Sequence, residues 1–104
     1  NLIPKNNINY KEKEFMTYAS QREIFGNGGN EKLLIQGKID FFSCGEKNIL
    51  IDYKYTNINS DEKLINKYKK QLLSYKFAIE TSTNINIDEI YILNLKKSKL
   101  LKIN

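Results

Sequence analysis

Residues 33–55 read Leu33-Leu34-Ile35-Gln36-Gly37-Lys38-Ile39-Asp40-Phe41-Phe42, then Ser43-Cys44-Gly45-Glu46-Lys47, then Asn48-Ile49-Leu50-Ile51-Asp52-Tyr53-Lys54-Tyr55. In the first run Leu33, Ile35, Ile39 and Phe41 are apolar at odd positions, with Gln36, Lys38 and Asp40 at even ones. A period of two predicts a strand over Leu33–Phe42 with one face in a core. Gly45 within Ser43–Lys47 predicts a hairpin loop. Asn48–Tyr55 is then the partner strand, with Ile49, Ile51, Tyr53 and Tyr55 on one face and Leu50, Asp52 and Lys54 on the other.

Downstream of the hairpin, Asn57–Asp61 is polar, and Ser60 or Asp61 can cap a helix. Leu64, Tyr68, Leu72, Tyr75 and Ile79 recur at helical spacing and predict a helix over roughly Asp61–Thr81 with that stripe buried. Asn84–Asn86 breaks it, Ile87–Leu95 reads as a strand, and Leu100–Ile103 as a last short one. Upstream, Asn1–Glu14 is polar and predicts a loop or the tail of an earlier element. A strand is expected somewhere in Tyr18–Phe25, and Gly26–Asn30 is a loop. The expected fold is α/β (α+β): a mixed central sheet flanked by a helix, within a single partial domain over residues 1–104.

Composition bounds the chemistry. A chain of 104 residues buries about 60–70% of its unfolded surface, enough for one modest core. It begins at Asn1 rather than Met, so it is expected to be a processed product or an excised piece truncated at the N-terminus. Lys and Arg total 17 against 12 acidic residues, a formal charge of +5, which favours a polyanionic partner. Cys44 is the only cysteine, so no internal disulfide and no iron–sulfur cluster can be built within the chain. There is no histidine, which leaves carboxylates, Lys, Tyr, Ser and Thr for any catalysis. No run approaches the ~18 apolar residues of a membrane span. Asn1–Asn9 is too polar for a secretory signal, and a cytoplasmic location is expected.

The polar faces of the hairpin hold the most informative residues. Asp52 and Lys54 are two apart and point the same way, roughly 6.5–7 Å from each other along the strand. If Phe42 faces Asn48, Asp40 lies diagonal to Asp52; a register shifted by two sets them directly opposite. Either register lets the carboxylates share a hard cation, and such a pair without one tends to hold a proton. Magnesium or manganese fits two oxygen donors, and Lys54 beside them can stabilise a phosphate or orient a water. Asp and Lys on a hairpin are also ordinary solubilising residues. Against that, Ile49-Leu50-Ile51 is apolar on both faces, so Asp52 ends a buried strand, where a charge is costly.

The ordered set Gln36-Gly37-Lys38-Ile39-Asp40, Ile51-Asp52-Tyr53-Lys54 and Gln71-x-x-x-Tyr75 resembles the RecB-like branch of the PD-(D/E)XK nucleases. Within that branch it is most like the C-terminal nuclease domain of the AddA subunits of bacterial ATP-dependent helicase–nucleases. The resemblance covers roughly Arg22–Ile79. It implies a restriction-endonuclease-like core, a Mg2+ (or Mn2+) site at Asp40 and Asp52 with the backbone carbonyl of Tyr53 as a further ligand, and Lys54 as catalytic lysine. Gln71 and Tyr75 match the family's helix motif, expected to contact DNA or position the site. Glu23, in Arg22-Glu23-Ile24-Phe25, resembles the family's E-x-P-F element without its proline and at shorter spacing. The family's upstream histidine has no counterpart, since the chain has none.

What the resemblance implies is a deoxyribonuclease, an exonuclease of a helicase–nuclease in double-strand break repair. Its partners would be DNA and a second helicase–nuclease subunit, with the piece alone monomeric. The absence of a G-x-x-x-x-G-K-[ST] loop leaves no nucleotide site in this chain. Two other readings stand beside it: a non-catalytic DNA-binding or scaffolding module that keeps the fold, and an unrelated small basic α/β domain. Carboxylates of Asp40 and Asp52 on opposite sheet faces would remove both nuclease-fold readings.

Overall fold

The computed structural model describes residues 2–103; Asn1, at the head of the expected N-terminal loop, lies outside the described residues. Five strands and two helices follow in the order β1 (Ile8–Ala19), α1 (Gln21–Phe25), β2 (Leu33–Cys44), β3 (Ile49–Lys54), α2 (Asp61–Thr83), β4 (Glu89–Asn94) and β5 (Lys99–Lys102). The strands form one mixed sheet in the order β1-β2-β3-β4-β5. β3 and β4 are parallel and every other neighbouring pair is antiparallel. A parallel pair needs a long crossover, and α2 supplies it. The α+β class with a mixed sheet and a flanking helix is as expected.

The hairpin, α2 and the last two strands match the periodicity. Ser60 caps α2 by accepting from the Lys63 N–H, and Asp61 and Glu62 complement the positive end of the helix. Leu64, Leu72, Ala78 and Ile79 are buried. Each of the larger ones contributes about 1.5–3 kcal/mol on leaving water. The helix runs two residues past the expected end and stops at Asn84, whose left-handed conformation (φ 59°) closes the C-terminus.

Two expectations upstream need correction. The segment read as a loop up to Glu14 contains the first seven residues of β1, which pairs with β2 from Ile8↔Cys44 to Ala19↔Leu33. Ile8–Glu12 is exposed on both faces, so no alternation exists for a pattern to reveal. Side chains hold it instead. Asn7 donates to the Lys47 carbonyl and to Ser43 Oγ, and accepts from the Glu46 N–H; Ser43 in turn donates to Asn9. The strand sought in Tyr18–Phe25 ends at Ala19, and Gln21–Phe25 is helical. Ser20 and Glu23 form a capping box, and Gly26 (φ 82°) ends the turn. That Ser-x-x-Glu signal was present in the sequence.

The single core face expected for β2 also gives way. Ile39 and Phe42 are buried in the cluster beneath α2, with Leu50, Leu72, Ile79, Ile90 and Ile92. Phe41 packs on the opposite face, against Ile49, Ile51 and Tyr91 with Leu2, Ile3 and Leu93. Leu33, expected inside, is exposed at the strand's start. The inward side of β2 therefore changes phase between Ile39 and Phe42. Opposite this point in β1, Glu12 takes φ 54°, and the Glu12–Asp40 position interrupts the pairing between Lys11↔Phe41 and Lys13↔Ile39.

Gly37 marks a close approach between sheet and helix. A Cβ there would meet Phe15 Cζ at 2.9 Å and the Tyr75 hydroxyl at 3.3 Å, and those two rings are themselves in contact, 4.7 Å between centroids. We expect Gly37→Ala to lower stability by about 1–3 kcal/mol through overpacking. Gly29→Ala, with open space around it, serves as the control. Urea midpoints measure both, and equal midpoints for the two variants would contradict this packing.

Candidate functional site

β2 and β3 pair over only three positions, Ser43↔Ile49, Phe42↔Leu50 and Phe41↔Ile51. Beyond them β2 continues with β1 alone, and β3 continues with β4. The sheet forks there, and the next residues on the two arms are Asp40 and Asp52. Of the two registers open to the sequence, this is the one that sets the carboxylates opposite each other. Parting strands leave backbone groups without ladder partners, and these need others. The Tyr53 N–H donates to Asp40 Oδ2 at 2.7 Å, which fixes that carboxylate at the fork.

Asp52 is only 5% exposed. Its Oδ2 lies 3.0 Å from Lys54 Nζ as an ion pair, yet that buried oxygen accepts no hydrogen bond. Burial pushes the Asp52 carboxyl above its ordinary value; Lys54 opposes the shift and the neighbouring Asp40 carboxylate adds to it. Desolvation outweighs the attraction of a single ammonium in this position. A buried carboxylate oxygen compensated only by one ammonium, beside a second carboxylate, is a donor set suited to a hard cation. Among the described residues no group of three or more His, Cys, Asp and Glu side chains is placed to hold a metal, so the protein side chains offered are two.

Lys54 is held from three directions. Besides Asp52, its ammonium donates to Gln71 Oε1 at 3.4 Å and sits 4.3 Å above the Tyr68 ring. Gln71 Nε2 donates to the Tyr75 hydroxyl at 3.1 Å. The chain Lys54–Gln71–Tyr75 thus joins β3 to α2, and Tyr75 reaches the space that Gly37 leaves open. The helix motif residues and the strand residues singled out in the sequence therefore come together. Tyr68 was read only as part of the buried stripe; its contact with Lys54 depends on how α2 crosses β3, which no local pattern records.

Glu23 stands apart. Its carboxylate accepts from the Ser20 N–H and pairs with Lys32, which precedes β2 at the end away from Asp40. Both interactions hold its carboxyl below the usual value, Lys32 first. Its contacts are those of a helix cap. Tyr53 joins the group through its backbone, with its side chain partly exposed on the other face. Asn94, paired with Lys54 in the β3–β4 ladder, is buried; it accepts from the Thr56 and Lys96 N–H groups and donates to the Thr56 carbonyl. It fixes the chain leaving Lys54, and a polar residue ending the Ile90, Ile92 series was its sequence signal.

No protein-family model matches the chain. It is similar to a short region of the AddA subunits of ATP-dependent helicase/nucleases. The identity is 35% over 95 residues with that of Clostridium botulinum strain Alaska, covering 86% of this chain and 8% of the relative. A second Clostridium botulinum protein, from strain Okra, is 31% identical over 109 aligned positions, 99% of this chain and 8% of the relative. That of Syntrophomonas wolfei is 31% identical over 98 residues, 90% and 8% respectively. The chain spans about 8% of the length of the curated relatives it matches.

The raised Asp52 carboxyl has a consequence for stability. Between the ordinary value, 3.8, and the raised one, the folded chain holds a proton that the unfolded chain has released. Stability therefore falls as pH rises through that window. Asp52→Asn removes the buried charge, so its urea midpoint should exceed the wild-type value at pH 7. The gain should shrink as pH approaches 3.8. A variant less stable than wild type at both pH values would contradict this account.

Proposed function

We propose that this chain carries the hydrolytic centre of a metal-dependent DNA nuclease, within an ATP-dependent helicase–nuclease that processes double-strand breaks. The observation that carries the reading is the buried Asp52 oxygen without a hydrogen bond, set opposite Asp40 at the fork and backed by Lys54. Similarity to a region of the helicase/nuclease AddA subunits supports it. DNA is then the substrate, and a second helicase–nuclease subunit the partner of the parent protein.

Asp40 and Asp52 would hold magnesium or manganese, with the Tyr53 backbone carbonyl as a further ligand. When bound, such an ion makes a water nucleophilic near neutral pH and neutralises charge on a phosphodiester. Two carboxylates suffice, because magnesium keeps several waters and takes phosphate oxygens as ligands. The Tyr53 N–H orients the Asp40 carboxylate toward its partner. Lys54 lies at the rim of the pair with its ammonium already aimed by Asp52, Gln71 and Tyr68, so it binds the scissile phosphate or the attacking water at little ordering cost. Gln71 keeps that ammonium in place and is itself held by the Tyr75 hydroxyl.

The reading of a non-catalytic DNA-binding module has its own support: there is no histidine in the chain and no third metal-ligating side chain beside the two carboxylates among the described residues. One experiment separates the two. Cleavage of linear single-stranded and duplex DNA is followed with magnesium or manganese, for the chain and for Asp52→Ala and Lys54→Ala. Metal-dependent cleavage should fall at least about 100-fold in each variant. DNA binding by the wild type without cleavage under any metal would replace the hydrolytic reading with the binding module.

A further inference from the structure

The lysines of α2 are set apart by their clustering. Among the described residues Lys5, Lys11, Lys13, Lys96 and Lys97 also lack an ion pair, but only α2 gathers unpaired lysines on one helix stretch free of acidic residues. On the strands and loops Lys32, Lys38, Lys47, Lys99 and Lys102 are paired with carboxylates. Between Lys63 and Lys76, α2 carries five lysines and no Asp or Glu, and among the described residues none of the five makes an ion pair. Two of them lie in a row and a third flanks it. Lys63 and Lys67 precede Gln71 by two turns and one turn of helix, so Lys63, Lys67, Gln71 and Tyr75 lie one above another on a single helix face, with Lys70 beside Lys67.

The row ends at the carboxylate fork. Gln71 touches Lys54, and Lys67 Nζ lies 5.3 Å from the same Tyr68 ring that Lys54 covers at 4.3 Å. Helix stability does not account for it. Like charges four apart repel, and Lys63 stands in the first turn, where the macrodipole disfavours a cation. A polyanion laid along the row removes both costs. Four helical residues advance about 6 Å, so successive lysines of the row are spaced on the scale of neighbouring backbone phosphates.

We propose that Lys63, Lys67 and Lys70 form a track that grips the phosphate backbone of one DNA strand and leads it past Tyr68 to Lys54 and the Asp40–Asp52 pair. This rests on the nuclease reading for what happens at the end of the track, but the track itself is a binding surface that can be tested without hydrolysis. The opposite side of α2 provides a control with equal charge. Lys69 and Lys76 share a face about half a turn away from Lys67.

The test is fluorescence anisotropy of a labelled single-stranded oligodeoxynucleotide, without divalent metal, over a series of salt concentrations. Three chains are compared: wild type, Lys63→Gln/Lys67→Gln and Lys69→Gln/Lys76→Gln. The first pair should weaken binding and make the slope of log K against log salt shallower by about 1.4, two phosphate contacts at about 0.7 each for a single strand. The second pair removes the same charge and should leave the slope near the wild-type value. Equal losses in both pairs, or no binding by the wild type, would overturn the track. Should the track hold while the wild type fails to cleave with metal, it is the hydrolytic reading that falls.

Discussion

Asp52 occupies a position where a carboxylate is costly and only half compensated. It follows Ile49-Leu50-Ile51, the central strand of the sheet, and it shares the face of Leu50, which is buried in the core beneath α2. One ammonium faces it and one of its oxygens accepts no hydrogen bond. A chain selected for stability alone would place an apolar residue here, because a buried ion pair seldom repays its desolvation. The surroundings follow from that charge. Lys54 must lie two residues on to share its face, and α2 must cross close enough for Gln71 and Tyr68 to hold the ammonium.

The fork between β2 and β3 supplies the second carboxylate. Pairing stops after Phe41↔Ile51, which frees the Tyr53 N–H and opens the space in which Asp40 and Asp52 face each other. The parting coincides with the phase change of β2 between Ile39 and Phe42 and with the positive φ of Glu12 across the ladder. Interruptions of this kind re-aim a side chain at the cost of regular pairing. The Asn7–Ser43–Asn9 network locks the hairpin on the closed side of the fork. On the open side, Phe15 and Tyr75 meet over Gly37 and fix the distance between the β1–β2 ribbon and α2.

α2 therefore serves two surfaces. Its apolar stripe closes the core over β3 and β4, and the adjacent Gln71, hydrogen-bonded to Tyr75, holds Lys54 beside the carboxylates. Rotating the helix to improve one would displace the other, so Leu72 in the core and Gln71 at the rim constrain each other.

Much of this was legible along the chain, because it depends on local periodicity. The faces of β3, the apolar stripe of α2 and the shared polar face of Asp52 and Lys54 follow from repeats of two and of about four, whereas Gln71 and Tyr75 stood out only through the resemblance. The start of β1 was not legible, since its exposed residues have no buried face to write a pattern; its stability comes from Asn7 and from β2. α1 did carry its signal, Ser20-x-x-Glu23, in a stretch otherwise resembling strand. What only the tertiary structure decided is the register that puts Asp40 opposite Asp52, the phase change in β2 that buries Ile39 and Phe42 on the same face, and the seat of Lys54 on Tyr68. Each depends on the packing of segments distant in sequence, and side-chain periodicity within one segment carries no record of how far its neighbour has slid.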